Sequence, residues 1–222
     1  MSESTTNSIL HTTDGHVIGS TAILSSAYFP PVQWMQKLHI YNKVYVECND
    51  NFCKQTYRNR CVISTANGVQ ALTVPIERFE GAKCPMRDIR ISDHGEWRHL
   101  HWNAIVSAYG ESPFFDYYAD DLRPFFERKW KYLFDFNMEI VDKLCELLDV
   151  RPNISLTDSY ADVALLGADD LRDVIRPKHP AVDPLFAPRP YYQVYASRHG
   201  FQSNMSVLDL LCNEGPEGIF YL

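Results

Sequence analysis

The chain has 222 residues, 45% of them hydrophobic and 22% charged, with a formal net charge of -7. That profile suits a soluble globular domain of generous size, and the acidic balance argues against a broad nucleic-acid footprint. No apolar run approaches the roughly 18 residues that cross a bilayer. The six cysteines show no C-x-x-C pair, so they read as free thiols of a cytoplasmic protein with no metal site.

The N-terminal stretch 1–19, "MSESTTNSILHTTDGHVIG", lacks the basic start and long apolar segment of a secretory signal. Its Ser, Thr and Gly content predicts a flexible arm, leaving 20–222 as a single domain. "STAILSSAYF" (20–29) reads as a buried strand stopped by Pro30 and Pro31. Val32, Met35, Leu38 and His39 then recur at helical spacing, and "KVYVEC" (43–48) reads as a second strand. Strand, turn, helix, strand is the order of a parallel pair.

"RCVIST" (60–65) and "VQALTVPI" (69–76), split by Ala66-Asn67-Gly68, predict a hairpin, and "MRDIRIS" (86–92) alternates like a further strand. From Trp97 the spacing turns helical, with more helices over 120–150. Residues 151–200 are rich in Pro, Asp and Arg and predict an irregular wrap ending in a short strand; the tail "SNMSVLDLLCNEGPEG" reads as a short helix. The predicted class is α/β: a mostly parallel central sheet, helices packed on it, and an irregular C-terminal wrap.

Chemistry concentrates after the second strand, where Lys54, Gln55, Tyr57, Arg58, Asn59 and Arg60 stand within seven residues. Loops beyond strand ends bind ligands in open α/β sheets, and Arg presents a planar fork to phosphate or carboxylate. The run reads as a site for an anionic small molecule such as a nucleotide sugar, or more plainly as an edge strand protected by charge. If 57–63 is extended, Arg58 and Arg60 share one face and Tyr57 and Asn59 the other. Asp93-His94-Gly95 reads as a turn or as an Asp–His acid/base pair. His101 falls in the apolar stripe of its helix, which suits a hydrogen-bonded core histidine. Proton transfer is the rival role. The aromatic run from Tyr109 to Trp130 reads as core, and Ser206, Asp209 and Asn213 as a solvated face of the tail helix.

Three stretches carry a family resemblance: Tyr28-Phe29-Pro30-Pro31, the run Phe52-x-Lys54-x-x-Tyr57-x-Asn59-Arg60, and the terminal "MSVLDLLCNEGPEG". Together they resemble the WbqC-like family, known mainly from surface-polysaccharide and O-antigen gene clusters, over residues 20 to 222. The chain departs at the first turn, with Ser25 and Ser26 where many members carry Gln-Pro, and has Tyr57 where many carry Trp. The resemblance implies a cytoplasmic transferase that adds an amino acid or acyl group to a nucleotide- or lipid-linked amino sugar, without a cofactor. Lys54, Gln55, Tyr57, Asn59, Arg60 and Tyr28 would bind substrate, with Arg60 favoured over Arg58 for the anion. His94, Asp93 or His101 would move the proton. The rival reading is a non-catalytic module that binds a sugar or an assembly partner.

Overall fold

A computed structural model describes residues 12–13 and 16–222. β1 (Thr12–Thr13) and β2 (His16–Ser25) pair antiparallel. Most of the arm expected over 1–19 therefore lies outside the described residues, and the first long strand begins at His16 rather than at residue 20. Ala22, Ile23 and Leu24 are fully buried. A continuous apolar run is what a parallel strand covered on both faces requires. Pro31 forms the N-cap of α1 (Val32–Ile40), a position that needs no backbone N–H. Tyr41 leads straight into β3 (Tyr41–Glu47), which lies parallel to β2 with Ala22 opposite Val44 and Ser25 opposite Glu47.

β4 (Arg60–Thr65) and β5 (Gly68–Thr73) make the expected hairpin as a separate two-stranded sheet. The extended reading of 57–63 gives way at its start, because Tyr57–Asn59 is a 3-10 turn and only Arg60 onward is strand. The strand expected over 86–92 is likewise replaced. Met86–Asp88 is a 3-10 turn, followed by single bridges from Arg90 to Tyr132 and from Ile91 to Ile76. A 3-10 turn sets residues i and i+3 on one side, so Met86 and Ile89 are buried together without a ladder. Helices α2 (Trp97–Tyr109), α3 (Phe115–Leu122), α4 (Pro124–Glu127) and α5 (Leu133–Leu147) follow. Most of their aromatics join the core as expected, Tyr109, Phe115, Tyr118, Phe125 and Phe126 being buried and Phe114 and Trp130 packed against it, but Tyr117 points to solvent.

The irregular wrap contains more order than its composition suggests. β6 (Ile154–Leu156) pairs with β3, and β7 (Asp169–Asp170) pairs with β2, both parallel, with α6 (Val163–Leu166) between them. The result is a parallel sheet in the order β7-β2-β3-β6, with β1 beside the start of β2, inside an α/β fold as predicted. The short strand expected to end the wrap is absent among the described residues; α7 (Ala196–His199) follows instead. The chain closes with α8 (Val207–Glu214) and a 3-10 segment over Gly215–Tyr221.

The stretches that carried the resemblance meet at one node. Ser206 donates from Oγ to the Phe29 carbonyl at 2.9 Å, and Val207 N–H to the Pro30 carbonyl at 2.8 Å. Tyr28 N–H donates to the Tyr57 carbonyl at 2.9 Å, and Ser206 N–H to the Val62 carbonyl at 2.7 Å. Phe29 sits there at φ +38°, a strained setting for a bulky residue that this packing enforces. The node fixes the end of β2 against the 57–59 turn and the start of α8.

Candidate functional site

In open α/β sheets the carboxyl ends of the parallel strands face the ligand crevice. Each parallel strand contributes a polar residue there: Ser25 ends β2, Glu47 ends β3, Thr157 follows β6, and Asp170 ends β7 with Arg172 two residues on. The buried apolar runs of β2 and β3 stop at that edge, and polar side chains begin.

Glu47 is fully buried yet saturated. Its Oε1 accepts from Asn49 N–H at 2.8 Å and from Thr157 Oγ1 at 2.6 Å. Its Oε2 accepts from Ala161 N–H at 2.8 Å and Arg172 Nη1 at 3.1 Å. The Arg172 guanidinium also grips Asp170 with two bonds, at 2.9 and 2.7 Å, and holds that carboxyl below its ordinary range. Its outer face packs on the Tyr160 ring at 4.4 Å. A second buried pair lies alongside. Arg58 donates from Nε and Nη2 to Asp50 Oδ2, and from Nη2 to Ser25 Oγ at 2.7 Å. Ser25 Oγ in turn donates to the Arg172 carbonyl at 3.3 Å, linking the two arginines. Asp50 Oδ1 is buried without a hydrogen-bond partner among the described residues. Burial pushes the Asp50 carboxyl above its ordinary range, outweighing the pull of Arg58.

Between these pairs runs a crevice of about 10 Å³, room for a single water, lined by Ser25, Thr56, Tyr57, Arg58, Arg172 and Ile175 among others. The two guanidinium groups fill it. Lys54 and Gln55 stand exposed on the 53–56 turn just before Thr56, outside the lining, and Lys178 donates to Gln55 Oε1 at 3.3 Å. That contact joins the turn before Tyr57 to the segment after Ile175, Tyr57 and Ile175 both being crevice residues.

The residues expected from sequence are therefore divided. Tyr57 lines the crevice, with its hydroxyl pushed up to about 12 by burial and then by Cys61. Lys54 and Gln55 are exposed on the preceding turn, outside its lining. Asn59 and Arg60 are turned toward the hairpin: Asn59 Nδ2 donates to the Val74 carbonyl at 2.9 Å, and Arg60 Nε to Thr73 Oγ1 at 3.2 Å. The 3-10 turn is the cause, since it sends Arg58 and Arg60 different ways, and Arg58 is the arginine in the crevice. Tyr28 is fully buried and shares a 2.9 Å hydrogen bond with His101 Nδ1. Burial lowers the His101 imidazole to about 4, so it is neutral near pH 7, and neither ring lines the crevice. Asp93 and His94 are exposed ahead of α2, where Arg98 and Lys129 clasp the Asp93 carboxylate. They neighbour a different hollow of about 260 Å³ lined by Gly95, Glu96, Arg98 and Trp102.

Sequence reasoning missed Ser25, Glu47, Asp50, Thr157, Asp170 and Arg172. The available signal was polar residues at the ends of apolar runs, Ser25-Ser26 after "TAIL" and Glu47 after "VYV". The solvated face expected on the tail helix is also corrected. Ser206, Asp209 and Asn213 are all buried, because the wrap covers them. Asp209 accepts from Tyr191 Oη at 2.7 Å and Gln193 Nε2 at 2.6 Å, and burial raises its carboxyl to about 6. Among the described residues no group of three His, Cys, Asp or Glu is arranged to hold a metal ion, and no helix is long and apolar enough to cross a membrane.

Comparison with known proteins places this arrangement. Residues 25–176, which run from Ser25 at the end of β2 past Arg172, match the WbqC-like protein family. The chain belongs to that family. The span matched to the WbqC-like family contains every residue named above as lining the crevice. An uncharacterised protein of Mycobacterium tuberculosis (strain ATCC 25618 / H37Rv), Rv1507c, is 24% identical over 228 residues, covering 90% of this chain and 96% of its own length. No solved structure matches.

Proposed function

We propose that this WbqC-like chain is a transferase that adds an amino acid or other acyl group to a nucleotide- or lipid-linked amino sugar in surface-polysaccharide synthesis. The observation that carries the reading is the pair of buried, carboxylate-bound arginines, Arg58 and Arg172, lining one narrow crevice at the carboxyl edge of the parallel sheet, with exposed Lys178 bonded to Gln55 on the turn before Tyr57. Two guanidinium groups facing one crevice suit a phosphate or diphosphate once their carboxylate partners give way. The six cysteines, all free, fit a reducing cytoplasm as the working compartment.

In this reading the substrate's phosphates exchange places with Asp50 and Asp170 on the two arginines, and Gln55 and Tyr57 orient the bound group by hydrogen bonds. The substrate amine attacks the carbonyl carbon of an activated acyl ester or thioester. A C–N bond forms, the bond to the leaving alcohol or thiol breaks, and the amine gives up one proton. Asp50 takes that proton. Its raised affinity for protons and its unpartnered oxygen suit a general base better than exposed, ion-paired Asp93 beside His94 or the buried His101.

Thermal unfolding with uridine diphosphate sugars tests the site. Ligand at 100 times its Kd adds about 2.7 kcal/mol, which for a chain of this size raises Tm by about 5–10 °C. The shift should vanish in the Lys54→Ala/Lys178→Ala double variant, whose side chains are exposed. No shift with any nucleotide sugar overturns the reading. With an activated acyl donor supplied, Asp50→Asn should bind the sugar and lose turnover, while His94→Ala keeps both. Binding without turnover in the wild type would instead make the protein a sugar-binding module.

A further inference from the structure

Beside the crevice lies a cavity of about 300 Å³ at the carboxyl end of β6, lined by Tyr45, Leu156, Thr157, Asp158, Tyr160 and Asp162 among others. Its chemistry is opposite to that of the crevice. No Lys or Arg is among its lining residues, whereas two aspartates and two tyrosine rings are. Each ring already carries a cation at 4.4 Å, Lys43 on Tyr45 and Arg172 on Tyr160, so the carboxylates are the groups that take a ligand's hydroxyl and ammonium groups. Leu165 forms part of the rim at 85% exposure, alongside exposed Leu156 and Tyr160, an apolar edge left open to solvent.

The cavity and the crevice share a wall. Tyr160, which lines the cavity, stacks on the Arg172 guanidinium at 4.4 Å. Thr157, also in the lining, donates to Glu47 at 2.6 Å, and Ala161 N–H donates to the same carboxylate. A ligand whose phosphate meets Arg172 can thus extend past Tyr160 into an acidic, aromatic hollow without leaving the protein surface.

We infer that this cavity is a second subsite, built to take the hydroxylated ring of the substrate together with its ammonium group. The inference rests on the transferase reading above and supplies what the crevice lacks, a home for the sugar. Charge decides the orientation: the anionic end of the ligand faces the arginines, and its cationic end faces Asp158 and Asp162. The amine is held as an ammonium on arrival, loses one proton to Asp158, Asp162 or solvent, and as the neutral amine turns to the crevice side to attack, where Asp50 takes the second proton.

Titration calorimetry with glucosamine, glucose and N-acetylglucosamine at pH 6.5, where the free amine is an ammonium, tests the subsite alone. Glucosamine should bind about 10-fold more tightly than either neutral sugar, the worth of one carboxylate–ammonium contact. Asp158→Asn/Asp162→Asn should erase that preference. The Asp162 carboxylate accepts from Ala164 N–H to cap α6, and the amide oxygen of the variant can take over that bond. Leu165→Arg, at an exposed rim position that does not threaten folding, should abolish glucosamine binding by placing a cation in the cavity. Equal affinity for the three sugars, or a preference that survives both variants, overturns the inference. The crevice is read separately by the Tm shift with uridine diphosphate. A shift with no glucosamine preference discards the subsite and leaves the anion site standing. Glucosamine preference with no shift discards the anion site and leaves the subsite.

Discussion

At the scale of single residues, buried charge is the dominant feature, and its cost depends on the partner. Arg58 and Asp50 are each over nine-tenths buried as side chains. Removing one member strands the other, so Arg58→Ala should lose about 3–5 kcal/mol in urea unfolding. Replacing both with leucine should recover most of that loss, and a double variant no better than the single one would contradict the pairing. Asp209 behaves differently. Its folded-state pKa of about 6 lies above the ordinary value near 3.9, so the folded chain holds that proton more tightly than the unfolded chain. Stability is therefore greatest below about pH 4 for this group, falls as pH rises to about 6, and is flat beyond, a total of about 3 kcal/mol. Asp209→Asn should remove that slope and gain up to about 3 kcal/mol at pH 7.5, with its amide oxygen still accepting from Tyr191 and Gln193. Unfolding at pH 4.5 and 7.5 measures it; an equal loss at both pH values would contradict the assignment. Neither residue's environment was legible in the sequence. Asp209 meets partners contributed by the wrap, and Arg58 was hidden by a three-residue turn inside a run that reads as strand.

At the scale of elements, local pattern and tertiary pairing divide the outcome. β2, α1, β3, the β4–β5 hairpin, α2 and α8 are visible in the sequence because each has a run long enough to show a period, and a stop such as Pro30-Pro31 or Gly215-Pro216. β6 and β7 are three and two residues long, too short for any period. They are strands because the flanks of β3 and β2 accept them. The crevice was half legible for the same reason: its β3 side follows a readable strand, whereas Thr157, Asp170 and Arg172 arrive on unreadable ones. α8 shows how one cap can hold two elements. Ser206 Oγ accepts from Leu208 N–H at 3.3 Å and donates to the Phe29 carbonyl at 2.9 Å. Ser206→Ala should therefore cost about 1–3 kcal/mol, since a cap is lost and a buried carbonyl is stranded. Urea unfolding would show it, and a cost below a few tenths would mean that the node holds without it.

At the scale of the whole molecule, the wrap ties the ends together. Lys37 on α1 is fully buried and pairs with Asp183 at 2.7 Å, and Gln33 donates to the same carboxylate at 2.9 Å. Gln33 also exchanges hydrogen bonds with Asn204, and Tyr41 Oη donates to Asp169 at 2.8 Å. α1 and the first residue of β3 thus anchor points across the last quarter of the chain. The order of strands adds a temporal constraint. β2 and β3 are made first, but the strands that flank them come only after residue 153, past four helices. A nascent polypeptide leaving the ribosome carries β2 and β3 with only β1 at the start of β2, so the outer N–H and C=O groups of β3 and of the β2 stretch around Ala22 lack their β6 and β7 partners until the last third is synthesised. N-terminal fragments cut at Arg151-Pro152 will consequently clump with one another, whereas the full-length product keeps both flanks sealed.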